Sequence, residues 1–176
     1  MKTIGIIGPE STGKTTLAQR LAQITRCHWE PELARDYVER LQRPYTEQDV
    51  QTIARHQIER EMLLREQMSA SAFVFFDTET IITQVWMEHA YGYCPDFLSR
   101  HIQNHPMDMY LLCCPDITWE PDPVRENGHI REQLMKRYTD LVRKTNRPFA
   151  FIQGQGDERI HAALRAIGLA DTGQIG

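Results

Sequence analysis

The segment GPESTGKT, residues 8–15, decides the fold because it fits the phosphate-binding pattern GxxxxGK[ST] at every fixed position. A short apolar run at residues 3–7 precedes it and predicts a buried strand. After it, Leu17, Leu21 and Ile24 recur at helical spacing and predict a packed helix. Strand, loop and helix therefore follow one another in the order that phosphate binding requires.

The loop supplies the groups that hold a nucleoside triphosphate. Its glycines let backbone N–H groups converge on phosphate oxygens, and the helix N-terminus adds partial positive charge at the same point. We expect Lys14 to reach the β- and γ-phosphates and Thr15 to place its hydroxyl on Mg²⁺. The predicted nucleotide-binding residues are Gly8, Glu10, Ser11, Thr12, Gly13, Lys14, Thr15 and Thr16.

The composition limits the class of protein. With 176 residues, 41% apolar and 25% charged, the chain is expected to form one globular domain. A net charge of −4 without a basic stripe argues against nucleic-acid and membrane-surface partners. No apolar run approaches membrane-spanning length and the N-terminus enters a core strand directly, so we expect a cytoplasmic protein. The four cysteines lack metal-binding spacing and predict buried free thiols.

Four further apolar or β-prone runs predict strands, and helical patterns alternate with them. These runs are residues 27–30, 72–76, 109–114 and 149–152. The alternation predicts an α/β fold of three layers, with a five-stranded parallel sheet flanked by helices. Right-handed crossovers then place the C-terminal ends of all strands on the side of the phosphate-binding loop.

Carboxylates at strand ends are the candidates for metal binding and for acid–base chemistry. Asp77 follows a continuously apolar run, and we predict that it holds Mg²⁺ together with Thr15. Phosphoryl transfer also needs a base near the acceptor hydroxyl. Glu30, at the end of the second predicted strand, is the leading candidate, and Asp36 and Asp77 compete with it.

An irregular, proline-rich segment at residues 116–128, after which a helical pattern resumes at Ile130, predicts a lid at about residues 116–131. Arg125 and Arg131 lie in it or at its end, and their guanidinium groups suit the charge that develops on transferring phosphate. A solvated face, or pairing of these arginines with Asp122 and Glu126, is the alternative.

Three aromatic residues are candidates for stacking on a planar base. These are Trp29, Tyr45 and Trp86. Packing in the core is the alternative for each of them.

With these motifs in order, the chain resembles the ribosylnicotinamide kinase domain of the NadR type, a P-loop kinase that phosphorylates nicotinamide riboside with ATP. The resemblance rests on residues 8–17, 29–37, 45–53, 77–79 and 116–131. It implies a single P-loop kinase domain over residues 1–176, with a lid at about 116–131. It also implies ATP and Mg²⁺ as cofactors and a place in NAD biosynthesis.

The resemblance also implies roles for individual residues. Trp29 and Tyr45 would form the pyridine-riboside pocket, and we add Asp36 to this substrate-binding set. Asp77 would serve the metal or the acceptor, and Arg125 and Arg131 would be lid residues. The sequence contains no HxGH motif, so adenylyl transfer is not predicted.

Two other functions stay open beside phosphorylation of nicotinamide riboside. One is a nucleoside or nucleotide kinase with another base specificity, and the other is a nucleotide-controlled regulatory ATPase. A GTPase is disfavoured because no NKxD sequence is present and residues 144–146, Lys-Thr-Asn, have the wrong order. The expected partner is a small-molecule nucleoside, and the sequence leaves homo-oligomerisation open.

Overall fold

The computed structural model describes residues 1–68, 70–119 and 128–169. Its sheet has the strand order β2-β3-β1-β4-β5, and each pair of neighbours is parallel. The predicted α/β fold and its five strands are confirmed, with strand ends that shift by a single residue. The strands are β1 (Lys2–Ile7), β2 (His28–Glu30), β3 (Phe73–Asp77), β4 (Met109–Cys113) and β5 (Phe149–Ile152).

Helices connect the strands and cover both faces of the sheet. They are α1 (Lys14–Thr25), α2 (Leu33–Arg40), α3 (Glu47–Gln67), α4 (Thr80–Tyr91), α5 (Asp96–Asn104), α6 (Arg131–Lys144) and α7 (Asp157–Ala166). A 3₁₀ turn at Gly128–Ile130 leads directly into α6. The last part of the predicted lid is therefore helical, because the buried face of α6 begins at Arg131. Residues 120–127 lie outside the described residues.

Two apolar clusters hold the three layers together. One packs α1 and α7 against strand residues such as Ile6 and Phe75. The other packs α3, α4, α5 and α6 against the opposite face, with Val74 and Leu112 at its centre. Because both faces are covered, the strands read as continuous apolar runs instead of alternating ones.

A capping box fixes the start of α3 and the chain that precedes it. Asp49 Oδ2 accepts a hydrogen bond from the Thr46 N–H at 2.7 Å, and Thr46 Oγ1 accepts from the Asp49 N–H at 3.4 Å. Arg43 also donates from both terminal nitrogens to Asp49, at 2.7 and 2.9 Å. Arg43 and Thr46 therefore hold the pKa of Asp49 well below its usual range. Residues 41–46 are thereby tied to the N-terminus of α3.

The four cysteines are free thiols, of which Cys113 and Cys114 are buried and Cys27 and Cys94 are half-buried. Within the described residues, no helix combines the length and the apolar character that crossing a membrane requires.

Candidate active site

A cleft of about 500 Å³ opens at the C-terminal edge of the sheet. The phosphate-binding loop forms one side of it, and all eight residues predicted to bind nucleotide line the cleft. Parts of α2, α4 and α6 and the segment before α3 form the other sides. These sides contribute Glu32, Ala34, Arg35, Val38, Arg43, Pro44, Tyr45, Thr78, Ile82, Thr83, Val85, Trp86, His89, Leu134 and Tyr138.

The loop leaves β1 in close contact with β4. Gly8 has φ +154°, and a Cβ atom there would lie 2.5 Å from the Cys113 carbonyl oxygen, so only glycine fits. Inside the loop, the Pro9 carbonyl accepts hydrogen bonds from Thr12 Oγ1 and from Lys14 Nζ, both at 2.9 Å. These bonds close the loop around its own backbone and hold the Lys14 ammonium beside it.

The N-terminus of α1 offers free N–H groups to the cleft. Gly13 is its N-cap and has no side chain to accept from the first turn, and that turn carries no acidic residue. The first N–H groups of a helix need acceptors, and the helix dipole favours an anion at this position. The start of α1 is therefore suited to a phosphate group.

Asp77 lies at the end of β3 beside the loop and is fully buried. In the part of the chain that the structure describes, neither of its carboxylate oxygens has a hydrogen-bond partner. Burial raises the pKa of Asp77 to about 6, while the Thr15 hydroxyl and the Lys14 ammonium oppose the rise. An unpaired buried carboxylate next to a hydroxyl is an oxygen donor set that suits Mg²⁺. Asp77 and Thr15 therefore fit the predicted metal.

Aromatic side chains line the same cleft as the phosphate-binding loop. The rings of Tyr45 and Trp86 meet edge to face, with centroids 5.0 Å apart and planes at 75°. Tyr138 from α6 is buried and lines the same space. Glu32, the half-buried N-cap residue of α2, adds a carboxylate to it. Of the three aromatic candidates, the structure thus brings Tyr45 and Trp86 into the cleft.

Polar contacts fix the aromatic side of the cleft from behind. Thr83 on α4 donates a 2.6 Å hydrogen bond to Gln57 on α3. Arg137 on α6 donates from Nε and Nη2 to the two carboxylate oxygens of Glu88 on α4, each at 2.8 Å. Such forked pairs fix orientation as well as distance. The helices that carry Trp86 and Tyr138 are therefore joined.

The structure does not bring Trp29 or Glu30 into this cleft. Trp29 pairs in register with Phe75 and packs with it on the core cluster under α1 and α7. The Glu30 carboxylate accepts from Arg60 Nε at 2.7 Å, lies 3.2 Å from His28 Nε2, and lines a separate small cavity. The physical reason is the topology: β2 is an edge strand, two strands and about 10 Å from β1.

The remaining predicted residues have mixed positions. Asp36 is exposed on the first turn of α2 and does not line the cleft. Arg125 lies outside the described residues. Arg131 is buried, and its Nη2 donates to the Ser11 carbonyl at 3.3 Å and to the Ile117 carbonyl at 3.0 Å. Burial lowers the pKa of Arg131. Arg131 thus contacts the phosphate-binding loop itself.

Sequence reasoning missed two residues at this edge of the sheet. Glu32 follows the predicted strand end by two positions, and its place at the start of α2 was the available signal. Arg159 on α7 is buried and donates to the Thr12 carbonyl in the loop. No spacing or motif marks Arg159, because its contacts join segments that are far apart in the sequence.

The sequence matches the AAA domain family over residues 3–159. It is also similar to the trifunctional NAD biosynthesis/regulator protein NadR of Salmonella typhimurium strain LT2, at 24% identity over 163 residues. The matched region is 87% of this chain and 38% of that protein. This chain thus spans about two fifths of the length of the curated relative.

Two solved NadR structures have the same fold. One, in complex with NAD and AMP-PNP, has a TM-score of 0.74 and matches 94% of this chain and 48% of its own. The other, in complex with NR, has a TM-score of 0.73 and matches 94% of this chain and 50% of its own. Both are 24% identical to this chain, so they show the P-loop kinase fold. They confirm the resemblance found in the sequence, and the match over residues 3–159 shows that the chain belongs to the AAA domain family.

Proposed function

We propose that this protein is an ATP-dependent kinase that phosphorylates a nucleoside, with nicotinamide riboside as the leading acceptor. The observation that carries the proposal is that a complete phosphate-binding loop and the Tyr45–Trp86 pair line the same cleft. A loop of this kind holds the donor triphosphate, and an aromatic pocket beside it suits the planar base of an acceptor.

On the donor side, the chain's own groups position the triphosphate and neutralise its charge. The loop N–H groups and the start of α1 bind the phosphate oxygens, and Lys14 exchanges its contact with Pro9 for the β- and γ-phosphates. Thr15 and Asp77 would hold Mg²⁺, and the bound metal would supply positive charge for the phosphate oxygens. Arg131 does not line the cleft, and it supports the loop from outside by donating to the Ser11 carbonyl. Arg125 stays a predicted lid residue.

On the acceptor side, Tyr45 and Trp86 bind the planar ring and Glu32 receives the proton. The reaction breaks the bond between the γ-phosphorus and its bridging oxygen and forms a bond from that phosphorus to the acceptor hydroxyl. Glu32 lines the cleft together with Lys14 and Tyr45, and its charge acts on both Asp77 and Tyr138. The other carboxylate of the cleft lining, Glu10, belongs to the phosphate-binding loop itself. We therefore assign the base role to Glu32 in place of Glu30 and Asp36.

Nicotinamide riboside is favoured by charge as well as by similarity. Its pyridinium ring is a cation, and cations bind favourably to the faces of tryptophan and tyrosine. The NadR structure that contains NR supports the same acceptor class. Since an aromatic pair also stacks on neutral bases, a kinase for another nucleoside is the second candidate.

The test is ADP release in a coupled assay, measured alone and with nicotinamide riboside, adenosine, cytidine, uridine or thymidine. We expect nicotinamide riboside to raise the rate at least about tenfold, with a phosphorylated product detected by mass spectrometry. Stimulation by another nucleoside would assign a different base specificity. A slow rate that no acceptor changes would favour a regulatory ATPase. Lys14→Ala serves as the control for contaminating kinases.

A further inference from the structure

Arg159 makes hydrogen bonds with five acceptors at the base of the phosphate-binding loop. Its side chain is only 7% exposed. Nε donates to the Gly154 carbonyl at 2.8 Å, and Nη1 donates to the Thr12 and Ile152 carbonyls at 3.1 and 3.2 Å. Nη2 donates to the Cys114 carbonyl at 2.8 Å and to the Asp116 carboxylate.

These acceptors belong to four separate backbone segments. They are the phosphate-binding loop, the chain after β4, the end of β5 and the connection from β5 to α7. Asp116 completes the arrangement, because its other oxygen accepts from the Gly154 N–H at 2.8 Å. A guanidinium has five N–H donors in one rigid plane, and all five point at acceptors here. Lysine has three donors on one atom and cannot span the same set.

Arg131 makes a parallel contact with the neighbouring residue of the loop. Its Nη2 donates to the Ser11 carbonyl, so two consecutive loop carbonyls, Ser11 and Thr12, are held by arginines from α6 and α7. Ser11 has φ +52°, a left-handed conformation that a residue with a side chain adopts only when its surroundings impose it. External contacts on these carbonyls supply that constraint.

We propose that Arg159, assisted by Arg131, is a positioning residue that holds the phosphate-binding loop in its binding conformation before the nucleotide arrives. By fixing the outward carbonyls, the two arginines keep the loop N–H groups turned toward the cleft. The inference rests on the proposed use of this loop to bind the donor triphosphate. Neither arginine lines the cleft, so their effect on the nucleotide is indirect.

The expected effect is a loss of nucleotide affinity with no change at the acceptor. If only about a tenth of the molecules keep the competent loop, the apparent Kd rises about tenfold. We expect a rise of about this size for AMP-PNP with Mg²⁺ in Arg159→Lys and Arg159→Met. Acceptor affinity should stay constant, because Tyr45 and Trp86 line the cleft and neither arginine does.

Isothermal titration with AMP-PNP and Mg²⁺ tests the proposal, with the melting temperature measured on the same preparations. Leu164→Ala is the matched control, since Leu164 is buried on the same helix and packs in the apolar cluster under α1 and α7. It should lower the melting temperature and leave the nucleotide Kd unchanged. If Arg159 only stabilised the fold, its variants and Leu164→Ala would change the melting temperature and the nucleotide Kd in the same way. Arg137→Met removes an arginine fork on α6 and should leave the nucleotide Kd unchanged.

Two further variants keep the test decisive if Arg159→Met does not fold. Asp116→Asn removes the charged partner of Arg159 and should weaken nucleotide binding, as the Arg159 variants do. Arg131→Lys should bind the nucleotide more tightly than Arg131→Met, because lysine keeps the positive charge. A folded Arg159→Lys protein with the wild-type Kd would overturn the proposal. If wild-type protein binds AMP-PNP but transfers no phosphate, the kinase assignment fails while the positioning role stands. If wild-type protein binds no AMP-PNP, both fail.

Discussion

The two sides of the cleft are built in different ways. The phosphate side comes from one continuous segment within residues 8–16. Asp77 is buried beside this segment at the end of the adjacent strand. The acceptor side is assembled from α2, the chain before α3, α4 and α6. Backbone groups form most of the phosphate side, whereas side chains from distant parts of the sequence form the acceptor side.

This difference shows which kind of site tolerates change. A backbone site depends on glycines and on contacts that fix the loop, so most substitutions there remove binding altogether. A side-chain site can exchange single residues and alter specificity while the fold is kept. Substitutions on the phosphate side should therefore affect the donor, and substitutions on the acceptor side should affect the acceptor.

On the phosphate side, Lys14→Ala should lower kcat by about a thousandfold, because the loss of one preorganised group that stabilises the transferring phosphate slows the reaction by about that factor. The melting temperature should hardly change, since Lys14 is half-exposed and its ammonium bonds to the carbonyl of the nearby Pro9. Steady-state kinetics and thermal unfolding measure the two effects. Lys136→Ala, on the exposed surface of α6, is the control and should be fully active. An active Lys14→Ala protein would contradict the phosphate-site assignment.

At the boundary of the two sides, Glu32→Gln should lower kcat by about a hundredfold, the usual contribution of a general base. The change keeps size and removes the proton acceptor, so KM for ATP should stay near the wild-type value. Glu30→Gln is the matched comparison. It removes the charge paired with Arg60 outside the cleft and should leave kcat within about twofold. The reverse result would return the base role to Glu30.

On the acceptor side, Trp86→Ala should raise KM for the nucleoside by about tenfold, because an aromatic contact is worth about 1 kcal/mol and more when the partner is a cation. KM for ATP should not change. Trp29→Ala should do the opposite: it should lower the melting temperature by several degrees and leave both KM values unchanged, since Trp29 packs on the core. If Trp29→Ala raises the nucleoside KM instead, the acceptor pocket extends to β2.

The smallest effect concerns the support of Tyr45. Asp49→Asn breaks the pair with Arg43 and half of the capping box, and we expect a melting temperature lower by a few degrees. The folded-state pKa of Asp49 is lowered, so its stabilisation is present above the unfolded value near 4 and is lost as the pH falls through the folded value. The difference from wild type should be constant above about pH 5 and shrink below it. A difference that grows toward acid would exclude this origin.

The phosphate side could be predicted from the sequence because its determinants are local. Gly8, Gly13, Lys14 and Thr15 act through backbone geometry and neighbours within one loop, and the flanking strand and helix have clear periodic patterns. The position of Asp77 could also be predicted, since a carboxylate after a buried apolar run marks the end of a central strand. The parallel sheet followed from the alternation of strands and helices.

The acceptor side could not be predicted in the same way. Trp29 and Glu30 follow the rule that sites gather after strands, but the rule does not say which strand lies at the edge or which face a side chain takes. Trp86 and Tyr138 reach the cleft through helix packing, which depends on contacts between distant residues. Arg159 illustrates the limit best, because three of its five acceptors, in Thr12, Cys114 and Asp116, lie more than 40 residues away along the chain.

The ion pair between Glu88 and Arg137 affects how the acceptor can enter the cleft. Since it joins α4 to α6, we expect the wall that carries Trp86 and Tyr138 to move as one unit. We therefore expect the cleft to open by movement of α2. This helix buries only Ala34 among its residues, and no side-chain hydrogen bond caps its start. Amide hydrogens of α2 should exchange with solvent faster than those of α4 and α6, and a bound acceptor should slow them. The rate at which α2 opens would then set the upper limit on how quickly acceptor enters and product leaves.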